Sequence, residues 1–215
     1  TINALGAKIV RTPTEASHDD PESNFGVAAR LNEEIPNSHI LDQWNNACNP
    51  EAHYSQTAQE ILNDFGTDLH MVVMGVGTGG TATGVGKRLK EEVPGIKIIG
   101  ADPYGSILGG EDEYKGQPYK VEGIGYDFFP KTFEKQYIDE FVKVNDKEAF
   151  GTARALIREE GLLIGGSCGS AMFAALKAAK TLKKGQNCLV ILPDSIRNYM
   201  RKFLSDDWMK ENNLF

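Results

Sequence analysis

Short apolar runs alternate with stretches of helical spacing along most of the chain. Runs that are too short for helices predict strands at residues 7–10, 39–43, 71–74, 97–102, 141–144, 162–164 and 187–192. Apolar positions three and four residues apart predict helices at residues 21–35, 49–66, 82–93, 146–160, 171–183, 199–204 and 208–212. Strands that alternate with helices predict an α/β fold with a mostly parallel sheet. The last strand is continuously apolar, which is typical of the buried middle of such a sheet.

Two segments lack both patterns, and a third, at the start of the sequence, has the pattern of a helix end only. Residues 14–22 and 103–120 are polar or rich in glycine and glutamate, and we expect them to be exposed loops. The chain opens on TINALG, which is typical of the last turn of a helix with Gly6 directly after it. Because neither a helix nor an initiator methionine precedes this turn, we expect further residues upstream.

A glycine-rich turn joins the strand at 71–74 to the helix at 82–93, and the rest of the chain is organised around it. Glycines let a ligand approach the backbone, and the first N–H groups of a helix have no intrahelical acceptor. These donors and the helix dipole favour an anion, and threonine hydroxyls add further donors. We therefore predict a phosphate-binding loop formed by Gly77, Thr78, Gly79, Gly80 and Thr81.

Two other interpretations of this turn stay open. In the first, the glycines are needed only for tight packing of the helix on the strand, because they carry no side chain. The G-x-G-x-x-G spacing at 75–80 also matches a dinucleotide-binding loop, with Asp102 as the acidic residue expected downstream. A Walker A loop is excluded because Lys87 is followed by Arg88 and not by Ser or Thr.

A second glycine-rich turn, at 165–170, lies between the short strand at 162–164 and the helix at 171–183. Parallel strands end at the same edge of a sheet, where ligands bind, so a ligand with a phosphate and a ring can contact both turns. The second turn would present Ser167 to the ring. The alternative is that this turn also serves packing alone.

Composition narrows the class of protein. The 215 residues are 40% hydrophobic and 25% charged, which is ordinary for a soluble protein with a sizeable core. The net charge of −7, with no Lys/Arg-rich run, argues against a nucleic-acid partner. No apolar stretch approaches the roughly 20 residues needed to cross a membrane. The three scattered cysteines predict reduced thiols in a cytoplasmic protein, and no histidine pair has the spacing of a metal site.

Four motifs follow one another along the chain: GTGGT at 77–81, VEGIGYD at 121–127, GGS at 165–167 and LPDS at 192–195. In this order they resemble the pyridoxal-phosphate enzymes of the cysteine synthase and cystathionine β-synthase family, and the resemblance covers essentially the whole chain. VEGIGYD and the run PDSIRNY at 193–199 are more similar to the cystathionine β-synthases than to the cysteine synthases of this family.

The resemblance implies a fold and a domain division. The fold is fold type II, the tryptophan synthase β-like fold, in which helices cover both faces of a mostly parallel sheet in three layers. Residues 1–66 would complete a small mobile domain and return to the large domain. Residues 67–215 would form the large, cofactor-binding domain. The N-terminal part of the catalytic core would precede this chain.

The resemblance also implies pyridoxal 5′-phosphate as cofactor and assigns roles to single residues. The phosphate-binding loop would hold the cofactor phosphate, and Ser167 would hydrogen-bond the pyridine nitrogen. The residues expected on the substrate side are Gln43, Gly123 and Tyr126. Asp19 and Glu22 fall in a loop that covers the site in the family. Trp44 stands where a tyrosine is expected after Gln43, so the ring is kept and the hydroxyl is lost.

The implied reaction is a β-replacement, in which serine loses its hydroxyl and the thiol of homocysteine adds to give cystathionine. Cysteine as the first substrate would release hydrogen sulfide, and we expect a homodimer or a larger homo-oligomer. The cofactor-bearing lysine belongs to an earlier family segment, so no residue of this chain is assigned as catalytic and haem content is not predicted. The alternatives are a cysteine synthase, a cofactor-free scaffold or regulatory homologue, and an NAD-dependent oxidoreductase.

Overall fold

A computed structural model describes residues 1–13, 16–17, 19–110 and 113–215. The chain divides into two compact units, Thr1–Asp42 and Gln43–Phe215. The predicted assignment of residues 1–66 and 67–215 to a small and a large domain stays a prediction.

The described residues of the first unit contain one α-helix and one short 3-10 helix. The 3-10 helix Asn3–Leu5 ends at Gly6, whose φ of +82° is left-handed, so the predicted helix end at this glycine is confirmed. Helix α1, Asn24–Glu34, begins later than predicted because the Ser23 hydroxyl caps it by accepting a hydrogen bond from the Gly26 N–H. Of the predicted loop at 14–22, residues 14, 15 and 18 lie outside the described residues.

The strands predicted at 7–10 and 39–43 are wrong, since neither run pairs with a β-strand among the described residues. Their apolar side chains are exposed: Ile9 by 50%, Val10 by 60% and Leu41 by 78%. A short apolar run becomes a strand only where a neighbouring strand completes its hydrogen bonds, and the run itself does not encode that neighbour.

The second unit is built on a four-stranded parallel sheet, which confirms the predicted α/β class. Its strands are β1 Met71–Gly75, β2 Lys97–Pro103, β3 Glu140–Val144 and β4 Cys188–Val190. They lie in the order β3-β2-β1-β4. Val73 of β1 pairs with Ile99 of β2 on one side and with Val190 of β4 on the other. All four carboxyl ends therefore lie at one edge of the sheet.

The helices of this unit cover both faces of the sheet. They are α2 Cys48–Ala52, a π-helical turn His53–Thr57, α3 Ala58–Phe65, α4 Gly80–Glu92, α5 Asp146–Glu160, α6 Gly166–Ala178 and α7 Asp206–Glu211. Short 3-10 helices occupy Lys135–Tyr137, Ala179–Thr181 and Ile196–Tyr199. Helix α5 is confirmed in full, with a capping box between Asn145 and Glu148 at its start and Gly161 at φ +70° after its end.

Two hydrophobic cores lie on opposite faces of the sheet, because successive side chains of a strand point to opposite faces. Met71 and Val73 pack with apolar residues of α5 and α6. Val72 and Met74 pack with apolar residues of α3 and α4. The three-layer αβα arrangement is therefore confirmed.

Near the second glycine-rich turn, the predicted strand is wrong and the predicted helix is present but begins earlier than expected. The run at 162–164 makes only a single antiparallel bridge, from Ile164 to Ser195. Helix α6 begins at Gly166 rather than at 171, since the first N–H groups of a helix need no intrahelical acceptor and glycine and serine are tolerated there. The second turn is thus the first turn of α6.

Burial also differs from prediction at two places. Strand β4 lies at an edge of the sheet and is half-buried, because no strand among the described residues pairs with its outer side. In the predicted exposed segment 103–120, of which residues 111 and 112 lie outside the described residues, Ser106 and Leu108 are buried. Their contacts come from distant parts of the chain, which composition does not show.

Candidate cofactor site

The two glycine-rich turns open at the same edge of the sheet, as predicted. Strand β1 continues through residues 76–79 into α4, and its parallel neighbour β4 leads to Asp194. The Asp194 carbonyl accepts a hydrogen bond of 3.2 Å from the N–H of Gly165, which is the N-cap of α6. The start of α6 therefore lies where β4 ends.

The first turn presents backbone donors to this edge. Gly79 is the N-cap of α4 and has φ +80°, so Gly80 and Thr81 belong to the first turn of the helix. Within the described residues, the N–H groups of Gly77, Thr78 and Gly79 have no hydrogen-bond acceptor. These donors and the dipole of α4 favour an anion.

The glycines of this turn also pack closely against other parts of the protein. An added Cβ would lie 2.5 Å from the Gly123 carbonyl oxygen at Gly77, 2.6 Å from Phe133 Cβ at Gly79, and 1.9 Å from Asn49 Oδ1 at Gly80. Each distance is too short for a real side chain, so packing alone requires glycine at all three positions. The case for an anion therefore rests on the donors and not on the glycine content.

Two side chains that sequence reasoning missed support this turn. Asn49 Nδ2 donates to the Gln43 carbonyl at 2.8 Å and to Thr78 Oγ1 at 3.0 Å. Thr132, which is 4% exposed, places its Oγ1 2.7 Å from the Thr78 carbonyl oxygen. Asn49 precedes a proline in a pattern typical of a helix start, and Thr132 carries no signal of its own.

A histidine on the π-helical turn also contacts the loop. His53 Nε2 lies 3.2 Å from Thr81 Oγ1, and His53 Nδ1 lies 2.9 Å from Thr57 Oγ1. Burial lowers the pKa of His53 below its ordinary value, so the ring is neutral near neutral pH. A π-helical turn is not visible in a periodicity pattern, and such turns are frequent at functional sites.

Ser167, the second residue of α6, is 3% exposed and its side chain has no hydrogen-bond partner within the described residues. Asp194, which bonds the helix N-cap, accepts hydrogen bonds from Tyr199 Oη at 2.6 Å and Cys168 Sγ at 3.4 Å. Burial raises the pKa of the Cys168 thiol to about 11, so this thiol is protonated near neutral pH and is not a nucleophile. Ser167 is thus a buried residue of this turn whose hydroxyl has no protein partner among the described residues, and Ser170, which is 1% exposed, is another.

The residues predicted on the substrate side occupy different settings. Gly123 is exposed, has φ +86°, and has no heavy atom within 4 Å of an added Cβ. Its carbonyl packs against Gly77, so it lies beside the first turn. Tyr126 is half-buried, with its N–H on Ser106 Oγ at 3.1 Å and its ring 5.0 Å from the ring of Phe128. Gln43 is exposed, and its carbonyl is bound by Asn49.

Three other residues that the resemblance singles out lie in different units of the chain. Asp19 and Glu22 belong to the first unit, where both are exposed and Glu22 pairs with Arg30 at 3.5 Å. Trp44 belongs to the second unit, and its carbonyl accepts a hydrogen bond of 3.2 Å from the Thr132 N–H.

The geometry argues against the dinucleotide interpretation of the first turn. Asp102, which would bind the ribose, is 0% exposed. One of its carboxylate oxygens accepts from Lys143 Nζ at 2.8 Å and from the Gly109 N–H at 2.9 Å. A carboxylate that is buried and held by protein donors cannot reach a ribose hydroxyl.

The described residues contain no group of three or more His, Cys, Asp or Glu side chains that could hold a metal ion. Among the same residues, no helix has the length and apolar content needed to cross a membrane.

Comparison with known proteins decides the family. The family described as "Pyridoxal-phosphate dependent enzyme" matches residues 1–194. The chain belongs to this family. Cystathionine β-synthase of Dictyostelium discoideum is 55% identical over 213 residues, which are 98% of this chain and 43% of that protein. Cystathionine β-synthase of Mus musculus is 58% identical over 211 residues, which are 97% of this chain and 38% of that protein.

A solved structure agrees with these relatives. The O-acetylserine-dependent cystathionine β-synthase from Helicobacter pylori matches with a TM-score of 0.84 and 41% identity, over 94% of this chain and 64% of that chain. The predicted family and its fold are confirmed. The chain spans less than half the length of the two curated relatives.

The cofactor that the family implies is pyridoxal phosphate, and the residues present fit it. The first turn has N–H donors without acceptors for a phosphate. The second turn has, at Ser167, a buried hydroxyl without a protein partner for a ring nitrogen. The two features lie at one edge of one sheet, as a ligand with both groups requires.

Proposed function

We propose that this chain is the cofactor-binding part of a pyridoxal-phosphate-dependent β-replacement enzyme that condenses serine with homocysteine to give cystathionine. The observation that carries the proposal is the convergence of the donor-rich first turn and the buried Ser167 hydroxyl at one sheet edge. The high identity to cystathionine β-synthases favours this reaction over that of a cysteine synthase.

When bound, pyridoxal phosphate supplies an electron sink for breaking bonds at the α- and β-carbons of an amino acid. The residues Gly77, Thr78, Gly79, Gly80 and Thr81 would hold its phosphate through N–H and hydroxyl donors. Ser167 would hydrogen-bond the ring nitrogen. A neutral hydroxyl cannot keep that nitrogen protonated as a carboxylate would, and a weaker electron sink suits β-elimination better than chemistry that needs a long-lived carbanion.

The substrate side would be formed by Gln43, Gly123 and Tyr126. Gly123 lacks a side chain and borders open space, so the backbone there can lie close to an amino-acid substrate. We assign the lysine that carries the cofactor and moves the α-proton to another segment of the family's catalytic core. We further propose a homodimeric, cytoplasmic enzyme that releases hydrogen sulfide when cysteine replaces serine.

The test is product analysis with the purified full-length protein loaded with pyridoxal phosphate. Serine with homocysteine should yield cystathionine, identified by mass spectrometry, and cysteine with homocysteine should release sulfide as well. O-acetylserine with sulfide is the matched reaction for a cysteine synthase. Cysteine formation in that reaction, without cystathionine from serine, would assign the chain to the cysteine synthases. A protein that retains no cofactor and forms neither product would be a scaffold or regulatory homologue.

A further inference from the structure

Thr78 lies at the centre of the first turn, and its hydroxyl is held in one hydrogen-bonding direction. Asn49 Nδ2 lies 2.8 Å from the Gln43 carbonyl oxygen, which can only accept, so this end of the Asn49 amide must be the NH2 group. The same nitrogen lies 3.0 Å from Thr78 Oγ1. Because an amide NH2 has no lone pair to offer, Thr78 Oγ1 must accept from it.

The second lone pair of Thr78 Oγ1 is also occupied. The N–H of Gly80 donates to it at 3.4 Å. A hydroxyl has two lone pairs and one hydrogen, so only the hydrogen is left. Within the described residues it finds no acceptor. The Thr78 hydroxyl can therefore donate its hydrogen only to a group that is not among the described residues, such as a ligand.

Thr132 fixes a second donor of the same turn. Its hydroxyl has three carbonyl oxygens nearby, at 2.7 Å for Thr78, 3.3 Å for Trp44 and 3.5 Å for Gln43. Its single hydrogen goes to the nearest, the Thr78 carbonyl. In a trans peptide the C=O and the following N–H point in opposite directions, so the Gly79 N–H points away from Thr132. That N–H has no acceptor within the described residues.

Gly80 completes the arrangement. A Cβ there would lie 1.9 Å from Asn49 Oδ1 and 2.7 Å from Asn49 Nδ2, so only glycine leaves room for the Asn49 amide. Gly80 has a negative φ, and its need for glycine comes from this contact and not from backbone strain.

We infer that Asn49 and Thr132 are positioning residues that aim the Thr78 hydroxyl and the Gly79 N–H at a phosphate monoester. The inference rests on the proposed function, in which this phosphate belongs to the cofactor. It adds that two side chains outside the turn determine how strongly the turn discriminates a phosphorylated ligand from the same ligand without phosphate.

The experiment compares pyridoxal phosphate with pyridoxal, which lacks the phosphate, as ligands of the full-length apoprotein. Affinities are measured by titration for the wild type, Thr132→Val, Asn49→Ala and Thr132→Ser. Thr132→Val keeps the shape of the side chain and removes its hydroxyl, while Thr132→Ser retains the hydroxyl. Asn187→Ala is a matched control, because Asn187 Nδ2 also donates to a carbonyl and to a side-chain oxygen, both of Asp68, away from this turn.

Thr132→Val and Asn49→Ala should each weaken pyridoxal phosphate binding about 5- to 10-fold, as expected for one typical hydrogen bond, and leave pyridoxal binding unchanged. Thr132→Ser and Asn187→Ala should behave as wild type. Asn49→Ala provides the test if the buried Thr132→Val variant does not fold.

Equal losses for both ligands, or no loss for either, would overturn the positioning role while the proposed function stands. A wild-type apoprotein that binds pyridoxal as tightly as pyridoxal phosphate would overturn the proposed phosphate site, and this inference with it.

Discussion

Replacing Gly165 by alanine should destabilise the start of α6 through a single contact. Gly165 has φ −83° and ψ 177°, an extended conformation that alanine adopts without strain. The new Cβ would lie 2.1 Å from Asp194 Oδ1 and 2.5 Å from Asp194 Cγ, whereas ordinary contact begins near 3.4 Å. The Asp194 carboxylate must therefore move by more than an ångström.

That movement breaks a hydrogen bond to a charged group. Tyr199 Oη donates to Asp194 Oδ2 at 2.6 Å, and Tyr199 is buried, so its hydroxyl would lose its partner away from water. Hydrogen bonds to charged groups contribute about 1.5–3 kcal/mol. We expect Gly165→Ala to lower the free energy of unfolding by about 2–3 kcal/mol, which corresponds to a decrease in Tm of roughly 5–10 °C for a domain of this size.

The assay is denaturant unfolding of the full-length apoprotein, with Tyr199→Phe and the double variant included. Because both changes remove the same hydrogen bond, the double variant should lose less than the sum of the single losses, by about 1 kcal/mol or more. Gly151→Ala is the matched control. An added Cβ at Gly151, inside α5, meets no atom within 4 Å, so this variant should gain about 0.4–1 kcal/mol.

Two results would refute the reasoning. The first is a Gly165→Ala protein as stable as wild type, which would mean that the Asp194 side chain moves without losing its partner. The second is strict additivity with Tyr199→Phe, which would mean that the loss arises elsewhere.

Two further predictions concern the site. Ser167→Ala should leave the fold intact and weaken cofactor binding by about 1 kcal/mol. Ser167→Asp should keep the ring nitrogen protonated and shift the visible absorbance of the bound cofactor. A Ser167→Asp variant with unaltered spectrum and turnover would contradict the contact between Ser167 and the ring nitrogen. Burial lowers the pKa of His53 in the folded protein below 6.5, the value of the unfolded chain, so the unfolded chain binds a proton at His53 more readily. The folded state therefore has its full stability with respect to this group above pH 6.5, and it loses stability as the pH falls below 6.5. Unfolding measured between about pH 5 and 8 should therefore show a steeper loss toward acid for wild type than for His53→Gln, and equal slopes would contradict this.

The sequence alone determined those features that depend on neighbours along the chain. The apolar run at Met71 and the glycines after it predict a strand that enters a helix, and this junction is confirmed. Helix α5 was predicted to its boundaries because its capping residues and its terminal glycine are local signals. The order of four short motifs was enough to predict the family, which the comparison confirms.

The sequence was less informative wherever the outcome depends on a distant partner. The run at 7–10 has the composition of a strand, but no described residue pairs with it. Ser106 and Leu108 lie in a segment of polar composition and are buried by groups that are remote in sequence. Apolar content shows which residues can be buried, and tertiary contacts decide which ones are.

The supporting residues of the site were decided only by tertiary structure. Thr132 and Asn49 lie 54 and 29 residues from Thr78, and each bonds it across that separation. The glycines at 77, 79 and 80 were predicted for the approach of a ligand, but each is also required by a side chain or carbonyl from elsewhere in the chain. A motif records which residues line a site, whereas the direction of each donor is set by hydrogen bonds that form only when distant segments pack together.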